Sequence, residues 1–129
     1  MEQKGSDTGD LNHRMLSVVG KPTGNENQTF DTGQACGDPV AAFDRDKGNF
    51  LVVFLADDLD GGTNVNVRGQ FATGTGELSG QSFGIATTAD AEAEQWVAYD
   101  TTAKKYFVAY AQATSSGQLT LMGTIVQPK

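Results

Sequence analysis

Side chains able to do chemistry are few in this chain, and the densest group is the segment Asp57-Asp58-Leu59-Asp60-Gly61-Gly62-Thr63-Asn64. Carboxylates mixed with amide and carbonyl oxygens suit a hard cation such as Ca²⁺. An EF-hand loop needs acids at alternate places ahead of its glycine, and this spacing does not follow that pattern. The segment therefore reads as a solvated acidic hairpin loop, and no metal is expected. Its oxygens leave Asp57, Asp58, Asp60 and Asn64 as candidates for hydrogen bonding to a polar ligand. Trp96, the single tryptophan, is the candidate stacking surface to go with them. Its other possible role is to pack its bulk while the indole N–H finds one partner.

The remaining groups argue against catalysis. Asp44-Arg45-Asp46-Lys47-Gly48-Asn49 mixes acids with the cations that neutralise them, and reads as a turn in which Gly48 takes a positive φ. His13 is the only histidine, so there is no zinc set and no Ser-His-Asp pattern. Cys36, the only cysteine, follows Ala35 and reads as a small apolar filler rather than a reactive thiol. Sixteen acids are too many to nominate a glycosidase pair. No catalytic residue and no cofactor are expected.

A formal charge of −7 makes nucleic acid and anionic membrane surfaces unfavourable partners, because both are met with clustered Lys and Arg. No segment approaches the roughly 18 apolar residues that a membrane helix requires. The polar start Met1-Glu2-Gln3-Lys4-Gly5-Ser6 has no apolar run like that of a signal peptide, which gives the expectation of a soluble, cytoplasmic protein.

The elements that must carry these residues are legible from an internal repeat. Ala42-Phe43-Asp44 and Leu51-Val52-Val53-Phe54 return, at a shift of 56, as Ala98-Tyr99-Asp100 and Phe107-Val108-Ala109-Tyr110. Gly69-Gln70-Phe71-Ala72 returns at a shift of 54 as Gly123-Thr124-Ile125-Val126. A weaker partial copy lies upstream, around Asn12-His13-Arg14 and Thr29-Phe30. Sixteen glycines among many Thr, Val, Phe and Tyr, without a long period of 3.6, predict an all-β fold of short strands and tight turns. The expected organisation is a flexible arm over 1–10 and a single repeat domain over 11–129, with units at about 39–88 and 95–127 and a partial unit at 11–33.

Within each unit the first strand is short, from Val40 to Asp44 or from Trp96 to Asp100. The second is apolar at successive positions, so both of its faces must be covered. The third alternates, with Asn66, Arg68 and Gln70 expected to face solvent. A Gly-rich turn, Thr73-Gly74-Thr75-Gly76-Glu77, leads to a last strand near Ser82 to Thr87, and Ala89 to Glu94 forms an acidic connector. Asp44 and Asp100 are expected to accept backbone N–H bonds in their turns. Gly69 and Gly123 are expected to permit a close approach or a bulge.

Pro39-Val40-Ala41-Ala42-Phe43-Asp44, Asn49-Phe50-Leu51-Val52-Val53-Phe54, Val67-Arg68-Gly69-Gln70 and the Gly80-x-x-Phe83 turn together resemble a family of β-propeller repeats in large bacterial proteins of mostly unassigned function. The resemblance covers about residues 28 to 127. It implies two four-stranded antiparallel, blade-like units, and the use of such units as binding or scaffold modules. Propellers have about four to eight blades, so two units imply completion by self-association, with a strand near Gln28 to Thr32 closing the last blade of a neighbour. The alternative architecture is a two-sheet β-sandwich. Two functions follow as expectations. One is a non-catalytic binding or interaction module that forms a homo-oligomer and takes a carbohydrate or protein ligand. The other is a glycan-active hydrolase or lectin-like domain that uses the acidic loop 57–60 at a subunit cleft.

Overall fold

The computed structural model describes residues 2–4, 8–16, 19–30, 36–57 and 65–129, and every regular element among them is a strand. The N-terminal sheet contains β1 (Glu2–Lys4), β2 (Thr8–Leu16) and β3 (Pro22–Phe30), in that order. A four-stranded sheet follows, with β4 (Cys36–Asp44), β5 (Asn49–Asp57), β6 (Val65–Thr73) and β7 (Leu78–Ala86) as a meander. The C-terminal sheet has three strands, β8 (Ala91–Asp100), β9 (Lys105–Ala113) and β10 (Leu119–Val126), and β10 is an edge. All pairings are antiparallel. The all-β expectation holds. The segment expected to donate a last strand, Gln28 to Thr32, has its described part in β3, paired with β2.

The same shifts that relate the sequences relate the strand registers. Asp44 lies opposite Asn49 as Asp100 lies opposite Lys105, and Gly69 opposite Val53 as Gly123 lies opposite Ala109. Turn chemistry repeats as well. Asp44 Oδ1 accepts the N–H groups of Asp46 at 2.8 Å and Lys47 at 3.1 Å, and Asp100 Oδ1 accepts those of Thr102 at 2.8 Å and Ala103 at 3.0 Å. Gly48 takes the positive φ of 70° that closes the first of these turns, and Lys104 takes the matching place in the second.

The main core lies between the four-stranded and C-terminal sheets. Leu51, Val53, Val67 and Phe71 meet Val97, Tyr106, Val108 and Tyr110 there, with the Phe71 and Tyr106 ring centroids 6.1 Å apart. Phe54 and Ala56, on the opposite face of β5, are buried with Cys36 and Leu78. This explains the unbroken apolar run of β5: each face meets its own cluster, and each such side chain contributes about 1.5–3 kcal/mol.

Two local expectations are corrected. β6 is covered on both faces, with Asn66 and Gln70 buried, because Gln70 Nε2 donates to the carbonyls of Phe71, Ser79 and Gly80 at 3.0–3.2 Å and so needs no water. Most of the acidic connector is strand: Ala91, Glu92 and Ala93 pair with Ala113, Gln112 and Ala111, and Glu92 turns inward.

Gly69 and Gly123 both sit under aromatic rings. A Cβ at Gly69 would lie 2.9 Å from Ile85 Cδ1 and 3.0 Å from Phe83 Cζ, and one at Gly123 would lie 2.8 Å from Phe107 Cζ. The strand that brings Phe83 and Ile85 over Gly69 is β7. Among the described residues the C-terminal sheet has no fourth strand, and Phe107 fills the place above Gly123.

Candidate functional site

β4 and β8 each carry an irregularity at the same place. Pairing slips between Gly37 and Val40 and again between Ala93 and Trp96, with Asp38 at φ 50° and Glu94 at φ 51°. A bulge bends its strand and re-aims nearby side chains. Here the two bends open an open-sided cleft of about 610 Å³, lined by Asp38, Pro39, Val40, Leu55, Ala93, Glu94, Gln95 and Trp96. Gln95 is buried and its amide donates to the Asp38 carbonyl, so the two bulges are tied across the cleft.

Trp96 is 72% exposed at this cleft. Asp57, also exposed, ends β5 two residues past the cleft-lining Leu55 and opposite Val65. Trp96 lines the cleft and Asp57 does not. Asp58, Asp60 and Asn64 lie outside the described residues. The cleft offers an aromatic face, an apolar floor of Val40 and Leu55, and the carboxylates of Asp38 and Glu94 in its lining.

The opposite end of the sheets holds a buried carboxylate. Burial alone would raise the Asp44 carboxyl, but N–H bonds from Lys47 and Asp46 and the neighbouring Tyr99 hydroxyl outweigh it and hold the group below its ordinary range. Tyr99 donates to Asp46 Oδ2 at 2.8 Å and Tyr106 to the Asn49 carbonyl at 3.2 Å, which leaves Asp44 Oδ2 buried without a hydrogen bond. Burial and the nearby carboxylates push the Tyr99 phenol far above its usual value, and burial with the Asp44 charge pushes Tyr106 up to about 12. Both phenols stay protonated at neutral pH and act as donors that lock the turn. Asp100, the counterpart of Asp44, has no such cover and is exposed.

Among the described residues Glu92 is the other buried acid. Its Oε1 accepts the Thr88 hydroxyl at 2.5 Å, its Oε2 is unpartnered, and burial raises its carboxyl above the ordinary range. Sequence reasoning missed it, because the alternation in Ala91-Glu92-Ala93 turns the alanines inward and the carboxylate outward. No group of three or more His, Cys, Asp or Glu side chains converges among the described residues.

Most of the outer face of the C-terminal sheet is apolar, with Asp100 and Lys105, opposite each other on β8 and β9, continuing it at one end. Ala91, Ala93, Trp96 and Ala98 on β8 stand beside Phe107, Ala109, Ala111 and Ala113 on β9, and these beside Leu119, Leu121, Gly123 and Ile125 on β10. Trp96, Phe107, Leu119, Leu121 and Ile125 are 51–81% exposed. The matching positions of the four-stranded sheet, Val40, Ala42, Leu51, Val53, Leu55, Val67 and Phe71, are packed in the core. Comparison of the chain with family models, curated proteins and solved structures gave no match.

Proposed function

We propose that this protein is a non-catalytic binding and interaction module, built from propeller-like β repeats, that works as a homo-oligomer. One observation carries the reading: the C-terminal sheet leaves bare a face whose counterpart, four strands earlier in the chain, is buried under a neighbouring sheet. A contiguous apolar patch of this kind marks an interaction site on a water-soluble surface. The shared registers and twin bulges support the repeat, and the resemblance to bacterial propeller repeats supplies the blade reading. The cleft between the bulges, lined by Trp96, Asp38 and Glu94, is the proposed place for a ligand that has a flat apolar face and hydroxyl or cationic groups, such as a sugar or a protein side chain, and such a ligand competes with self-association for the Trp96 ring.

The test is molar mass by light scattering across a concentration series. A multiple of the single-chain mass is expected, and a strict monomer at every concentration refutes the assembly.

A further inference from the structure

The bare face of the C-terminal sheet also selects what covers it. Outside that face, the exposed large apolar side chains among residues 16, 19–21, 23, 36–57 and 65–129 are Leu16, Val19, Phe43 and Met122. A head-to-tail contact requires a second, different apolar surface to receive the first, and a self-matching contact requires only the face itself. Resting on the self-association proposed above, we infer that two copies of this chain pack these faces against each other about a two-fold axis.

Size, shape and charge agree with this occupant. Large apolar side chains present roughly 150–250 Å² each, so five of them at the observed exposures give on the order of 700 Å² per copy. That exceeds the patch of an ordinary monomer and approaches the roughly 800 Å² that each partner of a stable complex contributes. In relief, the small row Ala109, Ala111 and Ala113 on β9 forms a trough beside the ridge of Leu119 and Leu121 on β10. A two-fold axis near Ala109 sets each ridge on the other copy's trough, as sheets packed face to face interdigitate. The face carries no net charge, its only charged residues being Asp100 and Lys105, opposite each other at one end, whereas each chain carries −7. Copies therefore repel at long range but not at the contact, and the dimer tightens as salt screens the repulsion.

Three measurements on the full chain test this. Light scattering with increasing NaCl is expected to show a dimer that strengthens with salt. The emission of Trp96, the sole tryptophan, is expected to shift to the blue as the dimer forms. Leu121→Lys places a charge at an exposed position, so the fold is retained by far-UV circular dichroism while the dimer weakens about 100-fold or more and the blue shift is lost. Ala109→Cys, and Ala111→Cys as a second variant, treated with a short bis-maleimide are expected to give covalent dimers. Wild type, whose Cys36 is buried, is expected to give none.

Cross-linking of a cysteine to its own copy requires like faces to meet. Folded cysteine variants that oligomerise without linking overturn the two-fold arrangement and leave the oligomer standing. A monomeric wild type overturns both. An oligomer unaffected by Leu121→Lys overturns this face as the interface.

Discussion

Alanine at Gly69 and at Gly123 is the same change at matched positions, and the surroundings predict opposite results. At Gly69 the new methyl lies 2.9 Å from Ile85 Cδ1 and 3.0–3.2 Å from the Phe83 ring. Phe83 and Ile85 are held against the main core, and Phe83 stacks on Phe71 at 5.4 Å between centroids, so neither can retreat without disturbing it. Overpacking of this kind costs about 1–3 kcal/mol, partly offset by the roughly 0.4–1 kcal/mol gained when a glycine is removed from the unfolded chain. The net expectation for Gly69→Ala is a loss of about 1–2 kcal/mol. At Gly123 the methyl is crowded by Phe107, 51% exposed, at 2.8 Å, and meets the Val108 carbonyl at an ordinary 3.8 Å. In a single chain that ring swings outward, the entropic gain survives, and Gly123→Ala is neutral or slightly stabilising. Urea denaturation of both variants, read as ΔΔG at low protein concentration, decides it. Equal effects, or a neutral Gly69→Ala, would refute the packing argument. At high concentration, where the proposed dimer pins Phe107, Gly123→Ala is expected to weaken association.

Glu92 has a folded-state pKa above its ordinary 4.5, so the folded state holds the extra proton. Its contribution is fully present below that value and is lost as pH rises through the raised one; Glu92→Gln is expected to remove this falling limb from a denaturation series and to match or exceed wild-type stability at pH 7. Asp44 behaves oppositely. Its lowered pKa makes its contribution present above the ordinary 3.8 and lost on acidification, and Asp44→Ala is expected to cost about 1–2 kcal/mol at pH 7 by orphaning two turn N–H groups, with a smaller loss for Asp100→Ala. Val53→Ala empties a fully buried site beside Val108 and is expected to cost about 2–3 kcal/mol by thermal or urea unfolding.

Strands and turns are legible in this sequence because their signals are local. The Asp at the end of β4 and of β8 names its turn through its own side chain, Gly48 names a positive φ, and the doubled apolar run of β5 shows that it is covered on two sides. What covers a surface is not local. Asn66 and Gln70 carry the pattern of a solvated face, yet they are buried, and Gln70 is satisfied by carbonyls of its own strand and of β7, a pairing that the alternation does not reveal. Glu92 looks like part of a polar connector for the same reason: its burial depends on the facing sheet. The candidate site was legible only in part. Trp96 and Asp57 are nominated by type, and of the two only Trp96 lines the cleft, which exists because of two bulges; Asp-Pro and Glu-Gln pairs do not announce a slipped register.

β10 has one further consequence. Its outer rim of backbone N–H and C=O groups runs over eight residues with no lysine, no proline and no bulge, the usual devices that keep a sheet from growing. Main-chain hydrogen bonding is indifferent to the identity of the strand that arrives. Partial unfolding at high concentration would therefore seed ordered filaments rather than amorphous precipitate, and a single charged residue on that rim would serve as a brake on polymerisation.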